Sequence, residues 1–269
     1  MPTFDLIATD LDGTLFYDRE HLTDRDRAAL DQVRALRIPC AIATGRELDA
    51  IFPALDRLNL RGYFDYIIHS GGAGFYDMAR QENIMTGMLS VQTLRAIFER
   101  YHACGLSLVL PQDGTLYTSR RTALLENESR LLACPLIEVP DLREVMTHPH
   151  NKIVLNGTLD EIEQILPIVL ADPDPAYQWH RSHDNYIDCY ARGVSKGSAL
   201  DALCTRLAID RARTLAIGDN ENDLQLLEAA GVAGCPGDGT ASARAAADYV
   251  CCPAYEGAFA DFCERYLFT

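Results

Sequence analysis

The chain is short of positive charge. Its 24 Lys and Arg stand against 39 Asp and Glu, a formal net charge of -15 at pH 7. Nucleic acids and anionic membranes are held by basic patches, so neither is an expected partner. An anionic small molecule is not excluded, because a metal ion and one or two cations reverse the field locally. Long apolar runs are also missing. The longest near mid-chain, Ile165 to Ala171, contains Pro167 and is far too short to cross a bilayer. Met1-Pro2-Thr3-Phe4-Asp5 shows neither a basic n-region nor an apolar h-region. The nine cysteines are odd in number and form no CxxC pair, with Cys251 and Cys252 adjacent. They read as reduced thiols in a cytoplasmic protein, which leaves the sequons at Asn127 and Asn156 without meaning. Repeats and low-complexity stretches are absent. A length of 269 residues suits one large or two smaller domains, and 48% hydrophobic with 23% charged residues is ordinary for a globular protein.

Against those absences stands Asp10-Leu11-Asp12-Gly13-Thr14-Leu15. The preceding run, Leu6-Ile7-Ala8-Thr9, reads as a short buried strand. Gly13 ends it, and Thr14 follows where a turn needs small residues. Carboxylates at the carboxyl end of a central strand lie where open α/β sheets place their ligands. One acid there suits a metal ligand and nucleophile, and its neighbour suits a proton donor and acceptor.

The rhythm along the chain is strand–helix–strand at first. A strand at about residues 4–10 precedes a helix from Thr23 with Leu30, Val33 and Leu36 on one face. Cys40-Ala41-Ile42-Ala43 is a second strand, followed by a helix from about Glu47 to Leu58 with Pro53 as a kink. Tyr66-Ile67-Ile68-His69 is a third strand, running into Ser70-Gly71-Gly72. This alternation implies a parallel, doubly wound sheet. The middle differs. A helix capped by Ser90, strands at 106–110 and 114–118 around Gln112-Asp113-Gly114, and a helix at 121–133 come first. A strand at 151–155, a helix at 158–171 and a hairpin at 176–190 tipped by His183-Asp184-Asn185 then predict an α+β unit with an antiparallel sheet. From residue 194 the α/β rhythm returns, with a helix opened by Ser195-Lys196-Gly197 and the strand Thr214-Leu215-Ala216-Ile217 ending at Gly218-Asp219.

Four short signals each end a strand or open a helix: Asp10-x-Asp12, Thr44-Gly45-Arg46, Lys196 and Gly218-Asp219-x-x-Asn222-Asp223. Singly each is weak. Acidic pairs are common in loops, a strand-end Thr usually serves a turn, and Lys196 alone reads as a first-turn surface lysine. Asp219 and Asp223, four apart, would repel on one helix face, although capping explains one of them. With Asp10 and Asp12 in the same cleft, a divalent cation is the simpler explanation.

In order and spacing these signals resemble the haloacid dehalogenase superfamily, more narrowly its Cof-type (subclass IIB) phosphatases, over nearly the whole chain. DLDGTL at 10–15, ATGR at 43–46, SKG at 195–197 and GDNEND at 218–223 carry the resemblance. It implies an α/β fold, with a doubly wound, Rossmann-like core at 1–80 and 187–269 and an inserted α+β cap of the C2B type at 81–186. It further implies a Mg²⁺-dependent hydrolase of a small phosphorylated metabolite, with a sugar phosphate as the leading candidate. By resemblance, Asp10 is nucleophile and metal ligand, Asp12 is acid/base and ligand through its carbonyl, and Asp219 is the other ligand. Asn222 and Asp223 orient the surroundings of the ion. Leu11, Asp12, Thr44, Gly45 and Lys196 hold the phosphoryl group, and Lys196 steadies the nucleophile. Arg46, His180, His183, Asn185 and Tyr186 are the candidates for contact with the leaving group. A hairpin-tip His is ordinarily solvated, Arg46 serves equally as a partner of an acid, and Trp179 with the Phe98–Tyr101 stripe is expected to pack the core.

The chain departs from the family pattern at Ser70-Gly71-Gly72, where Asn-Gly is frequent, and at Gly234-Cys235-Pro236-Gly237-Asp238-Gly239, where Asn-Ala is frequent. Asp238 is expected to form a turn. A phosphomutase of the phosphomannomutase type is the enzymatic alternative, told apart by adding a bisphosphate activator. A metabolite-binding or regulatory protein without catalysis is the other, told apart by silence on a phosphoester panel. A monomer or small homo-oligomer is expected.

Overall fold

The computed structural model describes residues 4–18 and 20–268; Met1, Pro2, Thr3, Arg19 and Thr269, which the expected core segments include, lie outside the described residues. The chain divides into two compact units. One comprises Met1–Gly45, Ala54–Thr86 and Ser195–Thr269, the other Arg46–Pro53 and Gly87–Val194.

Along the chain the elements are β1 (Leu6–Thr9), α1 (Asp24–Leu36), β2 (Cys40–Ala43), α2 (Leu48–Arg57), β3 (Tyr66–His69), β4 (Gly74–Asp77) and β5 (Glu82–Met85). Then come α3 (Val91–Tyr101), β6 (Ser107–Gln112), β7 (Thr115–Thr118), α4 (Ala123–Leu131), β8 (Leu136–Glu138), β9 (Lys152–Asn156), α5 (Leu159–Leu170), β10 (Tyr177–His183) and β11 (Tyr186–Ala191). The last stretch holds α6 (Lys196–Leu207), β12 (Thr214–Ile217), α7 (Leu224–Ala229), β13 (Val232–Cys235), α8 (Ala241–Ala246), β14 (Tyr249–Val250) and α9 (Ala258–Tyr266).

The first unit is built on an eight-stranded sheet ordered β14-β13-β12-β1-β2-β3-β4-β5. Its strands run parallel from β14 to β3, and β4 and β5 add an antiparallel hairpin edge. The central strands are apolar on both faces, as a sheet covered by helices on both sides requires. Register fixes where these strands end. Thr9 lies level with Ile217 and Ile42, and Ala43 level with Ile68. Asp10, Thr44, Ser70 and Gly218 therefore leave the sheet at one edge, the carboxyl ends of its parallel strands.

The second unit has a six-stranded sheet ordered β10-β11-β9-β6-β7-β8, antiparallel except between β7 and β8. Alternation sorts its residues. Ile153, Leu155, Trp179, Ile187 and Cys189 pack with Leu94, Ile97 and Phe98 of α3 and Ile162 and Val169 of α5. Val109, Leu116 and Val154 instead pack with Leu125 of α4 and with Ala50.

The expected boundaries of the insert move. Glu82–Met85 pairs with β4 and so extends the first sheet rather than starting the insert at 81. Residues 187–191 complete β11 in the second sheet, and the chain returns to the first unit at Ser195, not at 187. Glu82-Asn83-Ile84-Met85 carries too little apolar signal to read as a strand. Its pairing comes from the hairpin begun at Gly74. Residues 46–53, expected within the core, group with the second unit because Ala50 joins its smaller apolar cluster.

Candidate active site

Lys196 is the first residue of α6, behind the N-cap Ser195, whose hydroxyl accepts the N–H of Ser198 at 3.0 Å. Its side chain is 1% exposed, and Nζ donates to Asp10 Oδ1 and to Asp223 Oδ1, each at 2.6 Å. Asp10 sits directly after β1, its backbone N–H bonded to the carbonyl of Ile217 at 2.8 Å. Asp223 closes the turn after β12. Its second oxygen accepts the N–H groups of Asp219 and Asn220, both at 3.1 Å. Asn220 caps the same turn through its own side chain, which accepts from Glu221 N at 2.8 Å. Asp219 is held by Thr14, whose hydroxyl donates to Oδ1 at 3.0 Å. Gly13, at φ +93°, leaves the room for this: a Cβ there would lie 2.6 Å from Asp219 Oδ2. One carboxylate oxygen from each of Asp10, Asp219 and Asp223 lies within 4.8 Å of the other two.

Burial sets the electrostatics. It raises the Asp10 carboxyl well above its ordinary range; Lys196 pulls the other way, and the charges of Asp223, Asp219 and Asp12 push upward again. Asp219 is pushed up to about 7, first by burial and then by the charge of Asp223. Burial works against the charge of Lys196, yet Asp10 and Asp223 outweigh it and hold the ammonium above its ordinary value. Three carboxylates converge on one ammonium, so the ionised cluster carries two excess negative charges. All three donors are hard oxygens, and the residues fit a divalent cation such as Mg²⁺.

A family model for haloacid dehalogenase-like hydrolases matches residues 7–262. The chain belongs to that family. Among proteins similar in sequence, "Putative phosphatase YxeH" of Bacillus subtilis (strain 168) is 27% identical over 234 residues, 85% of each chain. The "HMP-PP phosphatase" of Serratia proteamaculans (strain 568) is 25% identical over 234 residues, 84% of this chain and 81% of the relative. A haloacid dehalogenase-like hydrolase from Bacteroides thetaiotaomicron has the same fold, at TM-score 0.85 and 22% identity over 98% of this chain and 99% of its own. So does the subclass IIB sugar phosphatase BT4131, at TM-score 0.82 and 22% identity over 97% and 98%.

In this haloacid dehalogenase-like chain, the fold brings together Asp10, Lys196, Asp219 and Asp223 as named from sequence. Asp12 sits in the loop after Asp10 and makes an isolated bridge to Phe16. Thr44 is buried, its N–H on Ile68 O at 2.9 Å and its carbonyl taking Gly71 N–H at 3.0 Å. Asn222 is half-buried in the turn that Asp223 closes. Asp238 lies in a turn as expected, with Gly239 N–H on Pro236 O at 3.0 Å, and its carboxylate reaches across to accept the N–H of Ala254 at 2.9 Å. Sequence reasoning passed over Thr14 and Asn220. The signal for Asn220 was the spacing Asn220-x-x-Asp223, a capping box.

The second unit's candidates separate. His180 lies half-buried on β10, 6.1 Å from the Tyr190 ring, and burial lowers its pKa. His183 is exposed where β10 meets the hairpin turn. Asn185 is a strut: its Nδ2 donates to Gly157 O at 2.9 Å and its main-chain carbonyl takes Asn156 Nδ2 at 3.1 Å. Tyr186 packs against the Val109–Val154 cluster. Arg46 opens the 46–53 segment and is buried. Trp179 and Phe98 lie in the core, as expected.

Proposed function

We propose that the chain is a Mg²⁺-dependent phosphomonoester hydrolase acting on a small phosphorylated metabolite through an aspartyl-phosphate. The observation that carries this reading is Lys196 held between the buried Asp10 and Asp223, with Asp219 beside them. A phosphate monoester resists attack because its oxygens are anionic, so the site must supply fixed positive charge and an aligned nucleophile. Asp10, Asp219 and the Asp12 carbonyl would hold the cation, which when bound would neutralise phosphoryl charge.

Lys196 binds one oxygen of Asp10 and leaves the carboxylate to attack phosphorus in line. The new Asp10 O–P bond forms as the bond to the ester oxygen breaks. Asp12 gives its proton to the departing alkoxide, then takes one from the water that cleaves the acyl phosphate. The hydroxyl of Thr44 and the N–H groups of Leu11, Asp12 and Gly45 cradle the phosphoryl oxygens. The 46–53 and 87–194 unit selects the leaving group, with His180 and Tyr186 retained as candidates. Relatives named as phosphatases support a phosphoester, and a structural neighbour named as a sugar phosphatase favours a sugar phosphate. All nine cysteines are free, which favours the cytoplasm.

The test is a panel of phosphorylated metabolites with and without Mg²⁺, on the native chain and on Asp10→Asn. Mg²⁺-dependent phosphate release is expected from the native chain and none from the variant. Turnover undiminished in Asp10→Asn overturns the nucleophile, and predominant isomerisation overturns the hydrolase.

A further inference from the structure

Ser70-Gly71-Gly72 follows β3 and touches both halves of the phosphoryl site. The N–H of Gly71 donates to the carbonyl of Thr44 at 3.0 Å. Gly72, at φ +100°, lies flat against the Ser195–Lys196 peptide: a Cβ there would be 2.0 Å from Ser195 O and 2.7 Å from Lys196 N. Thr86 Oγ1 donates to Gly72 O at 2.7 Å and holds the turn from behind. The turn is therefore a wedge whose position sets the backbone of Thr44 on one side and of Lys196 on the other.

Its first residue is held in an unusual way. Ser70 is fully buried and has φ +50°, in the left-handed region that side chains avoid. Its hydroxyl lies 2.9 Å from Nδ1 of His69, a ring 1% exposed. Nε2 of the same ring lies 2.9 Å from Asn83 Oδ1 on β5. With the amide oxygen of Asn83 facing it, Nε2 carries the proton, and Nδ1 accepts from Ser70. Gly74 leaves room for the ring, because a Cβ there would approach Nε2 to 2.9 Å. Both ring nitrogens of a buried histidine are thus committed to fixing one strained serine.

We propose that His69, Ser70 and Asn83 form a hydrogen-bonded relay that positions Thr44 and Lys196 by fixing the Ser70–Gly72 turn between them. This rests on the phosphoryl-transfer reading above. The three are positioning residues and touch no reacting atom. A displacement on the order of 1 Å at a catalytic group is enough to cost about 10²-fold in rate. Loosening the wedge lowers kcat and leaves the KM of a phosphoester nearly unchanged, since the groups concerned act on the transition state.

The test uses the full chain with Mg²⁺ and p-nitrophenyl phosphate, comparing Ser70→Ala, Ser70→Gly, Asn83→Ala and Asn83→Asp. Asn83 is exposed, so its variants fold. Both Ser70 variants are expected to lower kcat by roughly tenfold, within the loss that misplacement allows. Asn83→Ala lowers it less, and Asn83→Asp, which keeps the acceptor, restores it. Native kcat in Ser70→Gly would mean that only backbone strain matters and overturns the relay. So does a loss that follows thermal stability variant by variant, or an Asn83→Asp no better than Asn83→Ala. A native chain silent with phosphoesters would refute the phosphatase reading. The relay is then read from imidazole ¹⁵N shifts and backbone amides. An Nε2–H tautomer, with Gly71 and Lys196 amides moved by Ser70→Gly, supports it. An Nδ1–H tautomer, or changes confined to residues 69–71, overturns it.

Discussion

Lysine occurs only twice among the 24 basic residues, at 152 and 196, and arginine takes every other place. Both lysines are paired with aspartate: Lys196, fully buried, with Asp10 and Asp223, and Lys152, half-buried, with Asp188 at 3.1 Å. A compact ammonium fits between two carboxylates where a planar guanidinium has no room. Lys196→Arg therefore keeps the charge and loses the geometry, whereas Lys196→Met leaves two buried carboxylates without their cation. Breaking a buried pair from one side costs about 3–5 kcal/mol. Turnover is expected to fall about 10²-fold or more in both variants, as for removal of a transition-state donor. Chemical denaturation should show a large stability loss in Lys196→Met. Near-native kcat in Lys196→Arg would mean that charge alone suffices at that position.

Helix α1 shows how an element is fixed by a group the chemistry does not use. Thr23 caps it, and Asp26, fully buried, accepts Thr23 Oγ1 at 2.7 Å and the Ala260 N–H of α9 at 2.9 Å. Burial raises this carboxyl to about 6, the hydrogen bonds only partly opposing it. The folded chain then binds the Asp26 proton more tightly than the unfolded chain, so its contribution to stability is full below pH 4 and is lost as pH rises through 6. A rise of this size corresponds to about 3 kcal/mol. Asp26→Asn keeps an acceptor for the Ala260 N–H, turns its amide as a donor toward Thr23 Oγ1, and removes the titration. Relative to native, it should gain stability between pH 4 and 7 by urea denaturation; a constant difference across that range would contradict the burial argument. The first turn of α1 was legible because Thr23 is a capping residue ahead of a clear apolar face, and β1, β2, β3 and β12 were legible as short apolar runs. The β4–β5 hairpin was not, because Gly74 and the polar Glu82-Asn83 mask its period and its pairing depends on β3. Lys196, Asp10 and Asp219 were legible from motif order. The bond of Thr14 to that cluster, and the wedge of Gly72 against Ser195, depend on long-range approach that no local pattern carries.

At the scale of the whole molecule the question is how a chain with a net charge of -15 tolerates three converging carboxylates and still receives an anion. Lys196 answers a third of that charge. A divalent cation held there would answer the rest, and its binding would then be linked to folding. A cation that binds only the folded chain adds about 2.7 kcal/mol at a hundred times its Kd. For a chain of this length that is roughly a 5 °C rise in Tm. Screening of surface charge also stabilises so acidic a molecule, and NaCl at matched ionic strength measures that part. Asp219→Asn separates the two. The amide oxygen it introduces would still accept from Thr14, while one buried anion is gone. Without Mg²⁺ and with EDTA present, the variant should melt no lower than native, because one fewer carboxylate then stands beside those of Asp10 and Asp223. On adding Mg²⁺ only the native chain should rise beyond the NaCl control, and EDTA should reverse the rise. Equal shifts in both proteins would place the ion elsewhere and take Asp219 out of the metal set.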